Sequence, residues 1–247
     1  MKITYLLNSG FLVRLEHTLL VFDDFRDPQD SVRAAIESGG FDRLYFFASH
    51  SHFDHFDAQI GDFARYTERY ILSDDIRRAA GSRVLPQTKI VWMPEYDKWQ
   101  DDHIKVRSFS STDLGTPFLV EVNDVKLFHA GDFNWWDWIG DYEENRKMAA
   151  NGFHKQLARM QGLDADVAFF PVDGRLEESM DKGAKAFCAA TDVKSLVTMH
   201  SVGYPVWEPP ADFFAEGREI PVWSPRQPGE TRILAVPVEK GARFTVE

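Results

Sequence analysis

Apolar residues fall in short runs from the start of the chain. Residues 3–7, 11–15 and 19–22 form three such runs, broken at Gly10 and again near 16–18, and they predict a β-meander. Asp27-Pro28 halts that pattern, and 31–38 reads as a helix closed by Gly39-Gly40. Residues 44–48, Leu-Tyr-Phe-Phe-Ala, are almost wholly apolar, which suits a strand buried on both faces. That run leads directly into a polar segment, 49–57. Short strands are predicted at 70–72, 89–92 and 104–106, and a second hairpin pairs 118–122 with 125–128 across Asn123-Asp124.

The later half mixes types. Residues 144–160 predict an amphipathic helix and 177–190 another, with buried strands at 166–170 and 196–199. Strands near 233–236 and 243–246 close the chain. Strands come first, helices then interleave, and the pattern partly repeats. This predicts two sheets with helices on their outer faces, a mixed α/β (α+β) chain. No linker, repeat or low-complexity tract divides 1–247, so a single domain is expected.

Charge narrows the function classes. The chain carries 28 Lys+Arg against 39 Asp+Glu, a net −11. That balance argues against a protein held to nucleic acid by phosphate neutralisation. Cys188 is the sole cysteine, so no intramolecular disulfide forms and a reducing compartment fits. No window approaches the roughly 18 uninterrupted apolar residues of a membrane span, and the N-terminus lacks a signal-peptide pattern. The expectation is a soluble cytoplasmic protein with a small-molecule substrate, no nucleic acid and no membrane partner. A homo-oligomer is compatible with the sequence, which holds no signal for or against one.

One segment concentrates chemistry. Ser49-His50-Ser51-His52-Phe53-Asp54-His55-Phe56 follows the apolar run 44–48 and places three imidazoles and a carboxylate within six residues. Such a mixture suits a borderline-soft cation such as zinc. In an extended stretch residues two apart point the same way, so His50 and His52 are expected to converge on one ion. Asp54 and His55 lie beyond the strand end, where the chain can bend to a second.

His50-x-His52-x-Asp54-His55 resembles the signature motif of the metallo-β-lactamase superfamily. The resemblance covers nearly the whole chain and implies a four-layer αββα sandwich with a one- or two-metal site at the sheet edges. Two further segments are similar to the family: Ala130-Gly131-Asp132, where a carboxylate bridges the metals, and Met199-His200, where the last histidine ligand sits. Phe128-His129-Ala130-Gly131-Asp132 and Val197-Thr198-Met199-His200 resemble more particularly the lactonase-like hydrolases that include relatives of ascorbate-6-phosphate lactonase.

The implied ligands are His50, His52, Asp54, His55, Asp132 and His200, with Asp54 and Asp132 the catalytic carboxylates. The implied cofactor is one or two divalent transition metals, zinc first, with manganese or iron also tolerated. The chain departs from the family before its second hairpin, where 107–115 lacks the usual histidine. Thr112 or Asp113 falls there, and Asp113 could substitute as an oxygen ligand; His103 is a further candidate to reach in. Diiron relatives of that fold generally carry a glutamate where this chain has His52, which favours a hydrolytic reading over a redox one.

Other residues carry a weaker signal. Trp135 and Trp136 either wall a substrate pocket or pack over the sandwich edge. His129 is either a packed structural histidine or a support beside the site that could protonate a leaving group. Asp173 and Arg175 read as a surface loop, or as a second-layer carboxylate and an anion anchor. The function implied is a metal-dependent hydrolase using activated water on an ester-like bond of a small molecule, a lactone or a phosphodiester. The alternatives are a metal-binding member of the fold without turnover, and a nuclease of the same superfamily.

Overall fold

The computed structural model describes residues 1–246; Glu247, the last residue of the expected domain, lies outside them. In chain order the elements are β1 (Lys2–Tyr5), β2 (Phe11–Leu15), β3 (Thr18–Phe22), α1 (Ser31–Ser38), β4 (Arg43–Ala48), β5 (Arg69–Ser73) and β6 (Ile90–Met93). There follow β7 (Lys98–Gln100), β8 (Ile104–Ser108), β9 (Phe118–Val122), β10 (Val125–His129), α2 (Glu143–Leu157), β11 (Asp164–Ala165) and β12 (Val167–Pro171). The last are α3 (Lys182–Ala190), β13 (Asp192–Val193), β14 (Leu196–Met199), β15 (Val222–Trp223) and β16 (Thr231–Ile233).

Two seven-stranded sheets result, ordered β16-β1-β2-β3-β4-β5-β6 and β15-β14-β12-β10-β9-β8-β7, with β11 and β13 as a separate short pair. Each large sheet is antiparallel on one side and parallel on the other. β3, β4, β5 and β6 run parallel, as do β10, β12, β14 and β15. Parallel strands need crossovers, and these cover the outer faces.

Aromatic side chains fill the space between the sheets. Phe11 and Phe22 of the first sheet meet Phe169 of the second, at 4.6 and 6.0 Å between ring centroids, and Phe47 meets Phe118 at 5.9 Å. The period of two then decides the outer layers. Phe46, one step from Phe47, points outward with Leu44 and Leu72 into a cluster capped by Val32 and Ile36 of α1. Phe128 and Phe170 point outward onto Phe187 of α3, at 5.0 and 4.6 Å. Burial on both faces is why β4, β12 and β14 read as continuous apolar runs. The arrangement is the expected αββα sandwich.

Three local expectations change. The predicted helix 177–190 is split: a 3-10 turn covers Gly174–Ser179 and α3 starts at Lys182, because Glu177 adopts φ 52° and ψ −122°. The predicted strand 243–246 is a single bridge, Thr245 to Ile233. The strand predicted near 233–236 lies earlier, as β16 at Thr231–Ile233.

Parallel strands bring their carboxyl ends to one edge, where the chain leaves regular structure and side chains are free to converge. β3 delivers Asp23 there, β4 delivers His50, β10 delivers Asp132, β12 delivers Asp173 and β14 delivers His200. The two sheets are tied across this edge by the His200 amide, which donates to the Asn8 carbonyl at 3.1 Å.

Candidate metal centre

The segment after β4 bends at once. The amides of His55 and Phe56 both donate to the His52 carbonyl, at 3.1 and 3.0 Å, so 52–56 is a turn. His50 and His52 stand at the start of this segment, before the turn closes, and their rings converge as their spacing leads one to expect. His50 Nε2 lies 2.9 Å from His52 Nδ1.

Two glycines make the approach close enough. A Cβ on Gly115, which has φ +79°, would stand 2.1 Å from the Ser49 carbonyl oxygen and 2.4 Å from His50 Cβ. A Cβ on Gly131, at φ +52°, would stand 2.7 Å from Ser49 Cβ. The Gly115 loop presses on the backbone that carries His50, and the Gly131 turn presses on the Ser49 side chain beside it.

Asp132 is the centre of the cluster. Its Oδ1 lies 3.0 Å from His55 Nε2 and 3.4 Å from His200 Nε2, while its Oδ2 lies 3.5 Å from His50 Nε2. Asp54 Oδ2 completes the first side, at 3.9 Å from both His55 Nε2 and His200 Nε2. His52, Asp113 and Asp132 offer ligand atoms within 4.8 Å of one another on the other side. The sequence-derived set His50, His52, Asp54, His55, Asp113, Asp132 and His200 is thus brought to one place. His103 is not: it sits exposed in the turn before β8, at the opposite end of the strand that leads to Asp113.

Three atoms in this cluster are buried without a hydrogen-bond partner: His55 Nε2, Asp132 Oδ1 and His200 Nε2. Orphaned polar atoms in an interior are costly, so three that converge call for a shared partner. Two imidazoles and two carboxylates are the donor set of zinc, manganese or iron, and the residues fit such an ion.

A second layer fixes the imidazoles. His55 Nδ1 lies 2.7 Å from Asp23 Oδ2, and Asp23 also accepts from the amide and hydroxyl of Ser49, each at 2.7 Å. His200 Nδ1 lies 2.9 Å from Asp173 Oδ2. Each carboxylate accepts a hydrogen bond from Nδ1–H and leaves Nε2 facing inward. Asn8 Nδ2 donates to Asp54 Oδ2 at 3.1 Å. Asn8, Asp23 and His200 all adopt left-handed backbone, φ 54°, 43° and 67°, which places strain at the site itself.

Charge follows the geometry. Burial disfavours a charged His55, but Asp132 and Asp23 outweigh it and lift the imidazole to about 10. Burial likewise opposes charge on Asp132, and the surrounding histidines, His55 foremost, hold its carboxyl well below the usual range. The pocket is built to hold positive charge.

Several expected roles are revised. His129 is fully buried, donates from Nε2 to the Ser9 carbonyl at 2.8 Å and accepts the Gly131 amide at Nδ1. Burial also pushes its pKa down. Both ring nitrogens are engaged, so His129 braces the Gly131 turn and is not a proton donor to a leaving group. Arg175 is no free anion anchor, because its guanidinium is spent on Asp173. Thr112 accepts the Asn134 amide and donates to the Asn134 carbonyl, pinning the loop after Asp132. The tryptophans divide: Trp136 donates to the Asp132 carbonyl and sets its ring edge-on to His200 at 5.7 Å. Trp135 turns away and packs on Phe153 of α2 at 5.9 Å.

Sequence reasoning misses Asn8, Ser49 and Asp23 as site residues. The usable signal for Asp23 is its position, a carboxylate at the end of the apolar run 19–22, much as His50 follows the apolar run 44–48. A small cavity of about 310 Å³ lies between Thr112, Trp136 and α2 residues Met148 and Gly152, and no candidate ligand lines it.

No protein-family model matches the chain, and no curated protein matches it. Solved structures do. The metallo hydrolase Igni18 from the hyperthermophilic archaeon Ignicoccus hospitalis is similar at TM-score 0.60 and 15% identity, over 93% of this chain and 96% of that one. The metallo-beta-lactamase fold protein YhfI from Bacillus subtilis is similar at TM-score 0.55 and 12% identity, over 93% and 98%. CmlA, a diiron beta-hydroxylase from Streptomyces venezuelae, is similar at TM-score 0.55 and 12% identity over 81% of this chain. Only 44% of CmlA is covered, so this chain spans less than half of that protein. At these identities the likeness speaks for architecture alone, and the architecture is that of the metallo-β-lactamase fold.

Proposed function

We propose that the chain is a metal-dependent hydrolase acting on an ester-like bond of a small molecule, with a lactone as the first candidate and a phosphodiester as the second. One observation carries this reading: His55 Nε2, Asp132 Oδ1 and His200 Nε2 are buried without a hydrogen-bond partner, and the two ring nitrogens lie 3.0 and 3.4 Å from that same carboxylate oxygen. His55, His200, Asp54 and Asp132 would hold one ion. His50, His52, Asp113 and Asp132 would hold a second, with the Asp113 carboxylate in the place of the absent histidine. When bound, such ions acidify water and polarise a carbonyl or phosphoryl oxygen.

The chain's own residues do the rest. Asp132 divides its two oxygens between the two histidine groups, which fixes their separation. Asp23 and Asp173 hold the His55 and His200 rings in one tautomer. Trp136 closes over His200 and limits water on that side. The Asp54 side chain is 30% exposed, the most open carboxylate of the His55 side, and Asn8 holds its orientation. It is placed to pass a proton between the cluster and solvent as the leaving oxygen departs. The neighbours called metallo hydrolase and diiron beta-hydroxylase support metal chemistry on this architecture; the donor set here admits zinc, manganese or iron.

The test is metal analysis of gently purified protein, then assay of a simple lactone, an aryl ester and a bis-aryl phosphodiester. The expected result is at least one transition metal per chain and turnover of the lactone. Only trace metal, with none taken up on addition, would sink the reading.

A further inference from the structure

Among the described residues thirteen large apolar side chains are exposed. Six of them, Phe53, Leu114, Trp138, Ile139, Val202 and Tyr204, lie within seven positions of a candidate metal ligand. They come from four separate loops that share only the edge where the cluster sits. Phe53 stands between His52 and Asp54 and is 84% exposed. Large apolar side chains left open to water beside a polar cluster often mark a place where a ligand binds.

These residues are joined to the cluster by direct ring contacts. Trp138 stacks on Trp136 at 6.1 Å, and Trp136 is edge-on to His200 at 5.7 Å. The Arg175 guanidinium also lies over the Trp138 ring, at 5.5 Å, and it is ion-paired with Asp173. An aromatic wall therefore runs outward from a candidate ligand with no unpaired charge along it. Tyr204 is wedged on Gly174, where any Cβ would stand 2.4 Å from its ring, so this side of the rim is fixed in place.

Resting on the hydrolase reading, we infer that the substrate carries an extended apolar group, an alkyl or aryl chain, which lies along Trp138 and under Phe53 while its ester-like bond faces Asp132. The occupant is a small molecule because the wall is continuous with the cluster. A surface that only met a membrane would not need Trp136 to link the rim to His200. Burying a methylene on such a wall stabilises binding about two- to four-fold per carbon, the range between half and full burial.

The experiment uses the full chain loaded with zinc, with zinc content measured. Straight-chain alkyl hydroxamates are titrated by calorimetry, since the head chelates zinc and the tail reports on the rim. Affinity is expected to rise about two- to four-fold per methylene. The rise should flatten in the variant combining Phe53→Ser and Trp138→Ala, and persist in Val84→Ser, whose side chain is exposed elsewhere. Both changed side chains are exposed, and circular dichroism checks the fold. A flat series in the parent protein, with the short hydroxamates still bound, overturns the inference and leaves the hydrolase reading standing. A steep series that survives in the double variant overturns the assignment to this rim. Zinc uptake without binding of any hydroxamate overturns the inference, and no zinc uptake overturns both. Binding to neutral phosphatidylcholine vesicles, lost in the double variant with no chain-length effect, assigns the rim to a membrane surface instead.

Discussion

Asp23 Oδ2 lies 2.7 Å from His55 Nδ1, and neither side chain is more than 1% exposed. Asp23 ends β3 and His55 lies in the turn after β4, so two adjacent parallel strands supply a ring and its clamp. Removing the clamp leaves the His55 tautomer unfixed while every direct ligand stays in place. Asp23→Ala is expected to lower metal affinity about 10- to 100-fold. Competition against a chromophoric chelator reads this directly, and a change below twofold would show that His55 is held by packing alone.

Asp132→Asn keeps the shape of the central side chain and removes its charge. Loss of at least about 100-fold in kcat is expected on any substrate the parent protein turns over. Val84→Ser, at an exposed position, should change kcat less than twofold. A near-parental rate for Asp132→Asn would exclude this carboxylate from positioning the nucleophile.

Metal uptake should depend on pH with a definite sign. His55 in the metal-free protein is lifted from 6.5 to about 10, because Asp132 and Asp23 outweigh its burial. It therefore holds a proton at neutral pH, and an ion that takes Nε2 must displace that proton. Affinity is expected to rise with pH by about tenfold per unit between pH 6.5 and 10, with about one proton released. Calorimetry in buffers of different ionisation enthalpy counts it. The chelated protein should behave in the opposite sense. A raised pKa contributes stability fully present below 6.5 and lost as pH rises toward 10, so its melting temperature should fall over that window.

Gly115→Ala tests the clasp on His50. The new methyl would press on the Ser49 carbonyl and His50 Cβ, from a backbone at φ +79°. A cost of about 2–4 kcal/mol in unfolding free energy is expected, combining left-handed strain with overpacking. Urea denaturation measures it. The folded fraction should also bind less metal, since His50 is the residue displaced.

Much of the site is legible in the chain. The run 44–48 is apolar at every position because β4 is covered by Phe118 on one side and by α1 on the other, and that continuity marks where His50 begins. The segment 49–56 supplies most of the candidate ligands, and order along the chain places Asp132 and His200 at strand ends. The helix 31–38 and the second hairpin are also fixed locally, by turn residues and by period. Where local signals are weak, at the two-residue strand β15 and in the break at Glu177, sequence reading runs out.

What tertiary structure alone decides is which nitrogen faces which oxygen. Asp23 and His55 are 32 positions apart, and Asp173 and His200 are 27 apart, separations no periodicity can register. The same holds for the tryptophan pair: two adjacent indoles look alike in sequence, but one meets Phe153 of α2 and the other meets His200. Local residue order sets strand, turn and helix, because those depend on neighbours within a few positions. The pairing of Arg175 with Asp173, the burial of His129 and the carboxylate of Asp113 beside His52 depend on how two sheets close on one another, and packing across that gap is decided only when the whole chain folds.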